Sequence, residues 1–162
     1  MTFAYIGLGG NSADARRHLA HAVRRLKKLP SSRLAAMSPI YVSAPVGCPG
    51  QQREYCNCAA KIQTFLPPRR MFIRIGEIER HIQRRRRRRN APRRLDLDYL
   101  SHGAAVLRGL PLTLPHPRMC SRAFVLTPLA DVAGKDYHGF KNARVLQTAR
   151  QKTQAQSLRR IT

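Results

Sequence analysis

Arg93-Arg94-Leu95-Asp96-Leu97-Asp98-Tyr99-Leu100 decides the reading of this chain. The run is apolar and strand-like except for two carboxylates spaced by two residues. On a strand, residues i and i+2 share a face. Asp96 and Asp98 therefore point one way, and Leu95, Leu97 and Tyr99 the other. Two like charges on one face repel each other and lose stability unless something relieves them. A divalent cation is the simplest relief, because Mg²⁺ takes one or two carboxylates and completes its shell with water and substrate phosphates. The preceding arginines suit those phosphates. The plainer alternative is a pair of solvated acids bridged to neighbouring Arg side chains.

Outward from this strand, the chain alternates between strand and helix signals. Thr2–Leu8 is a compact run with Phe3, Tyr5 and Ile6, closed by Gly9-Gly10-Asn11. A helix follows on Ala15, Leu19, Ala22, Val23 and Leu26, stopped by Pro30, with Ser12 or Asp14 as its cap. Arg16, Arg17, Arg24, Arg25 and Lys28 fall mostly on its wet side. Leu34–Val42 reads as a strand despite Pro39, and Ser43–Gln52 as a loop. Glu54–Thr64 alternates: Tyr55, Asn57 and Ala59 on one face, Cys56, Cys58, Ala60 and Ile62 on the other. Pro67-Pro68 opens a second helix with the stripe Met71, Ile75, Ile78 and Ile82. After the Asp-bearing strand, Ala104–Arg108 is expected to be a short strand, Pro111–Pro117 an extended connection and Arg122–Val132 a helix interrupted by Pro128. The order predicts an α+β fold, a ferredoxin-like βαββαβ sandwich with additional C-terminal elements. Residues 1–140 form the expected catalytic domain; 141–162 form a basic tail expected to fray or to be partly helical.

The chain has 162 residues, enough for one domain with a real core, and 43% of them are hydrophobic, which excludes wholesale disorder. Its formal net charge of +23 predicts affinity for polyanions without choosing among nucleotide, nucleic acid and anionic membrane. Cys48, Cys56, Cys58 and Cys120 lack zinc-site spacing, and Cys56 and Cys58, on one face of a strand pattern, read as reduced core thiols. No signal peptide is visible, and no apolar run nears the roughly 20 residues needed to span a bilayer, so a cytoplasmic location is expected. His18, His21, His81, His102 and His138 show no triad or metal spacing and read as surface or structural groups.

Six short stretches, in order over residues 1 to 135, carry a resemblance. They are Ala4-Tyr5-Ile6-Gly7-Leu8-Gly9-Gly10-Asn11, Ser43-Ala44-Pro45-Val46-Gly47, Tyr55-Cys56-Asn57, Pro92-Arg93-Arg94-Leu95-Asp96-Leu97-Asp98, Leu114-Pro115-His116-Pro117 and Arg122-Ala123-Phe124. Together they resemble the 6-hydroxymethyl-7,8-dihydropterin pyrophosphokinase family of the folate pathway. The resemblance implies transfer of pyrophosphate from ATP, as co-substrate, to the pterin hydroxymethyl group, with two Mg²⁺ ions held by Asp96 and Asp98. It implies a pterin pocket of Ser43, Val46, Gly47, Tyr55, Asn57 and Phe124. It implies an ATP site of Glu79, Arg84, Arg93, Tyr99, Thr113, His116 and Arg122, with Arg84 and Arg93 also catalytic. The side-chain types suit those roles, since flat rings stack on a bicycle, an amide pairs with its edge, and arginine forks grip phosphate. A monomer acting on small molecules, without a membrane, is implied.

Departures from the family pattern are Gly10, Gly76, Gln83-Arg84, Asn90 and the six-arginine run Arg84–Arg89, whose like charges disfavour packing until an anion relieves them. A catalytically impaired homologue and a basic nucleic-acid-binding protein are the competing readings, the second supported by charge alone.

Overall fold

In the computed structural model, which describes residues 1–45, 53–83, 94–134, 137, 151 and 158–161, the strand signals assemble into one six-stranded sheet. Its strands are β1 (Thr2–Gly10), β2 (Ser32–Met37), β3 (Ile40–Ser43), β4 (Tyr55–Thr64), β5 (Asp96–His102) and β6 (Leu158–Ile161). The order is β5-β1-β4-β3-β6, and β2 also pairs with β4. Every pairing is antiparallel. Helices α1 (Ala15–Leu26), α2 (Pro68–Ile82) and α3 (Ala123–Ala133) complete the layers, with a 3₁₀ turn at Met119–Ser121.

The two faces of the sheet bury different elements. Ala4, Ile6, Leu8, Cys58, Ala60, Ile62, Leu97 and Tyr99 face the α1–α2 side, where Leu19, Ala22 and Leu26 of α1 meet Met71, Ile75, Ile78 and Ile82 of α2. Both helical stripes are those read from the sequence. On the opposite face Tyr5, Ala59 and Leu100 pack against Met119 and Val125, Leu126, Leu129 and Val132 of α3. The Tyr5 hydroxyl donates to the Ala133 carbonyl at 3.0 Å, which fixes the C-terminal end of α3 over β1. Helix α3 runs through Pro128, held by the buried side chains on either side of it. Gly9, Asn57 and Asp96, on β1, β4 and β5, are not among the residues that form this cluster with α3.

Three expectations are corrected. Leu34–Val42 is two strands, because Pro39 has no N–H to give the ladder. The gap is bridged by Ser38, whose N–H donates to the Ala59 carbonyl at 2.9 Å and whose hydroxyl accepts the Ala59 N–H at 2.9 Å. Ala104–Arg108 forms no strand; it contributes an isolated bridge between Leu107 and Leu114. Of the two cysteines read as core thiols, Cys58 is buried, with its thiol pushed up to about 12 by desolvation, and Cys56 is half-buried; Cys120 is exposed, and Cys48 lies outside the described residues. Leu158–Ile161 is strand β6, paired along β3, not a frayed or helical tail. Among the described residues no helix is long and apolar enough to cross a membrane.

The Ser38 bridge predicts a cost out of proportion to its size. Ser38→Ala leaves the Ala59 N–H without its acceptor and lowers stability by about 1–3 kcal/mol. Ile62→Ala, which opens a cavity between both helices and the sheet, costs about 2–5 kcal/mol. Ile73→Ala, at a side chain 48% exposed, changes stability by less than about 0.5 kcal/mol. Urea unfolding of the three variants checks the ranking.

Candidate active site

Directly paired residues on neighbouring antiparallel strands share a face. Gly9 of β1 pairs with Asp96 on one side and Asn57 on the other; Gly7 pairs with Asp98 and Ala59. The two carboxylates and the amide therefore stand on the same face with a glycine row between them. Asp96 and Asn57 are two strand spacings apart, about 10 Å. Neither glycine raises a side chain into that gap. A Cβ at Gly9 would come within 3.1 Å of Asn57 Oδ1, and one at Gly7 would rest against Asp98 Cβ at 3.6 Å. The floor is bare backbone, flat enough for a planar ligand to approach.

Asp96 and Asp98 are half-buried. The Arg122 guanidinium, at the N-cap of α3, approaches Asp98 Oδ2 at 3.9 Å. That is a long, partly solvated ion pair, so it offsets the repulsion between the carboxylates only in part. Among the described residues no group of three or more His, Cys, Asp or Glu is arranged so that it could hold a metal ion. Two hard carboxylates outside any such cluster suit Mg²⁺, which leaves its other positions to water and phosphate; they do not suit Zn²⁺, which wants nitrogen and sulfur donors.

Asn57 and Ser43 are both buried. Asn57 Nδ2 donates to Ser43 Oγ at 3.1 Å and to the Tyr55 carbonyl at 3.4 Å, which orients the amide with Oδ1 beside the glycine floor. Ser43 pairs across the strands with Tyr55, so Ser43, Tyr55 and Asn57 share the face of the carboxylates. Phe124 stands half-buried in the first turn of α3, its ring 5.7 Å from the Arg122 guanidinium. The structure thus brings together Ser43, Tyr55, Asn57, Asp96, Asp98, Arg122 and Phe124. Val46, Gly47, Arg84 and Arg93, together with the rest of the arginine run and Asn90, lie outside the described residues.

The other expected nucleotide contacts divide. His116 is half-buried; its N–H donates to the Leu100 carbonyl at 2.8 Å, anchoring it beside β5. Its Nδ1 accepts the Arg118 N–H at 3.2 Å, which places the proton of the neutral ring on Nε2. Thr113 is half-buried, with its hydroxyl donating to the Gly109 carbonyl at 3.3 Å. Glu79 is a structural tie. Its carboxylate accepts the Leu97 N–H at 3.2 Å and the Gln83 amide at 3.4 Å, while that amide also donates to the Leu95 carbonyl. These bonds join the end of α2 to the start of β5. Tyr99 is the one expectation that the geometry corrects. Its side chain lies on the α1–α2 face, 5% exposed, with its hydroxyl bonded to His102. Burial holds the phenol well above its usual range and His102 below its own, so the pair is neutral. Only the Tyr99 backbone remains for a ligand on the carboxylate side.

Sequence reasoning missed the glycine floor. The signal was present: Gly7 and Gly9 repeat the i, i+2 spacing of Asp96 and Asp98, one strand away.

Residues 5–134 match the family 7,8-dihydro-6-hydroxymethylpterin-pyrophosphokinase (HPPK). The chain is 41% identical over 129 residues to the 2-amino-4-hydroxy-6-hydroxymethyldihydropteridine pyrophosphokinase of Pseudomonas aeruginosa, covering 80% of this chain and 79% of that one. It is 37% identical over 129 residues to the Bacillus subtilis protein of the same name, covering 80% and 77%. In fold it is similar to a Plasmodium falciparum HPPK-DHPS crystal structure with pterin and p-hydroxybenzoate, with a TM-score of 0.72, 13% identity and coverage of 95% of this chain. The chain spans 43% of that longer one. This chain belongs to the 7,8-dihydro-6-hydroxymethylpterin-pyrophosphokinase family.

Proposed function

We propose that the chain is the pyrophosphokinase of folate biosynthesis, transferring the β,γ-pyrophosphoryl group of ATP to the hydroxymethyl group of 6-hydroxymethyl-7,8-dihydropterin. The observation that carries this reading is the pairing of Asp96 and Asp98, across the glycine floor, with the buried amide of Asn57. A phosphate-side group and a heterocycle-side group stand on one face, about two strand spacings apart.

The hydroxyl oxygen attacks the β-phosphorus, the bond from that phosphorus to the α,β-bridging oxygen breaks, AMP leaves and the hydroxyl proton is lost. Asp96 and Asp98 would hold Mg²⁺, two ions on this reading, and the metal would supply neutralisation of phosphate charge and polarisation of the phosphorus–oxygen bonds. The chain itself supplies position and charge. Tyr55 and Phe124 offer faces for the pterin, and Asn57 reads its edge with an oxygen held in place by the bond to Ser43. Arg122, near Asp98, would meet the triphosphate, with His116, hydrogen-bonded to the Leu100 carbonyl of β5, beside it, and Thr113 assigned by family pattern. Val46 and Gly47 on the pterin side, and Arg84 and Arg93 on the phosphate side, are assigned by family pattern. Tyr99 contributes backbone only, and Glu79 holds α2 against the carboxylate strand while lying near the nucleotide.

The strand order, with β2 and β3 sharing one edge of β4, supports a ferredoxin-like core extended by β6. A cytoplasmic monomer is the matching biological reading.

Asp96→Asn and Asp98→Asn are each expected to lower pterin-dependent AMP release by roughly 10²-fold or more, since each removes charge aimed at the transferring phosphates. Their thermal midpoints stay within a few degrees of the parent, as expected for half-exposed sites. Full turnover in either variant would sink the metal-ligand role, and no pterin-dependent AMP from the parent chain would favour the impaired homologue. Asn57→Ala is expected to raise the KM for the pterin about tenfold or more, because a buried hydrogen-bonding edge loses its partner. Initial-rate kinetics at saturating ATP measures it; an unchanged KM removes Asn57 from the pterin site.

A further inference from the structure

The helix-bearing side of the sheet holds a second polar concavity. Where the N-terminal half of α1 meets the C-terminal end of α2, an open cavity of about 790 Å³ is lined by Arg17, His18, His21 and Arg24 of α1, His81 of α2 and Arg94. Arg53, Ser12, Ala13 and Ile82 also line it, and Asp14 is its one acid among the described residues. The cavity does not include Asp96, Asp98 or Asn57, whose side chains stand on the other face.

Its imidazoles are oriented by specific contacts. Arg25 Nη2 donates to His81 Nε2 at 2.6 Å, which requires His81 to be neutral with its proton on Nδ1. The His21 ring meets the His81 ring edge-on, with centroids 6.0 Å apart. His18 Nδ1 and Ser12 Oγ are hydrogen-bonded at 3.1 Å. Burial first, then the charge of Arg94 and Arg17, lowers His18, and Asp14 opposes this only in part. Burial and then Arg25, Arg24 and Arg17 lower His21. The site therefore gathers guanidinium charge that already repels protons from its own histidines. Among the described residues no Phe, Tyr or Trp lines it, and its flat groups are imidazoles and guanidiniums. Phosphate oxygens are the group that several forked guanidiniums suit, and the cavity is much larger than one phosphate.

We infer that this cavity binds a linear oligophosphate through its phosphates alone, at a site independent of the carboxylate face. A free inorganic chain and the tail of a nucleotide present the same chemistry.

The test is calorimetric titration of the full chain with inorganic tripolyphosphate, in chelator and about 150 mM salt, where exposed charges are largely screened. Saturable binding is expected, weakened about tenfold or more in Arg17→Gln/Arg24→Gln through loss of charge-assisted bonds, restored largely by Arg17→Lys/Arg24→Lys and unchanged in Asp98→Asn. The histidine ring resonances of His18 and His21 report the same event. A polyanion raises the lowered pKa of each ring, so binding takes up protons and strengthens as pH falls from 8 to 6. ATP that matches tripolyphosphate, with the same loss in the double variant, identifies the nucleotide tail as an equal source; weaker ATP binding identifies the free chain. Affinity unaltered by Arg17→Gln/Arg24→Gln, or histidine resonances that do not move, overturns the proposal. So does a single-stranded oligonucleotide that outcompetes tripolyphosphate at equal phosphate, which would mean recognition of a nucleic-acid strand.

Discussion

The register between β1 and β5 is the constraint on which the rest depends. With Gly9 opposite Asp96 and Gly7 opposite Asp98, the carboxylates face a strip of bare backbone. Shift the pairing by one residue and both acids would turn into the α1–α2 core, where unpaired charge is costly. The register is held from both sides. Leu97 and Tyr99 are buried under the helices, and the carboxylate of Glu79 and the amide of Gln83 fasten β5 to the end of α2. Apolar burial fixes which face is which, and the polar tie fixes where the strand starts.

The same division separates stability from chemistry. One face of the sheet is closed by two amphipathic helices, and its residues are mainly Ala, Leu, Ile and Cys. The other is closed at one end by α3 and left open at the other, and there the strands carry Gly, Asp, Asn and Ser. Buried polar groups at the open end are satisfied by each other, as Asn57 is by Ser43, before any ligand arrives. That preorganisation reduces what a ligand must order on binding.

Much of this was legible because period-two alternation is a local signal. It placed Asp96 with Asp98, and Asn57 with Tyr55, on shared faces. It also placed Tyr99 on the other side, so for that residue plain strand geometry outweighs the family pattern that made it a nucleotide contact. What was hidden depends on pairings distant in sequence. The Ser38 bridge across the Pro39 gap requires knowing that Ala59 is its neighbour. Strand β6 requires the free edge of β3, more than a hundred residues earlier. The glycines of β1 read as punctuation until the flanking strands showed what their missing side chains leave open. His81 looked unrelated to His18 and His21 because it sits on α2 and they on α1, and the three meet only when those helices pack.

Charge gives the last step. A chain with a net +23 still concentrates two of its few acids on one strand face. In such a background a carboxylate is readily bridged by a nearby arginine, which would fill the site with a protein cation. At Asp98 the Arg122 guanidinium is instead held off at 3.9 Å, on the N-cap of α3 and beside the Phe124 ring. A pair within hydrogen-bond distance would have to be broken before a metal ion could enter. At this separation the Asp98 carboxylate is not committed to the arginine, and the arginine keeps donors for a second anion. The spacing therefore favours a three-part arrangement of carboxylate, metal and phosphate, with Arg122 at its outer edge.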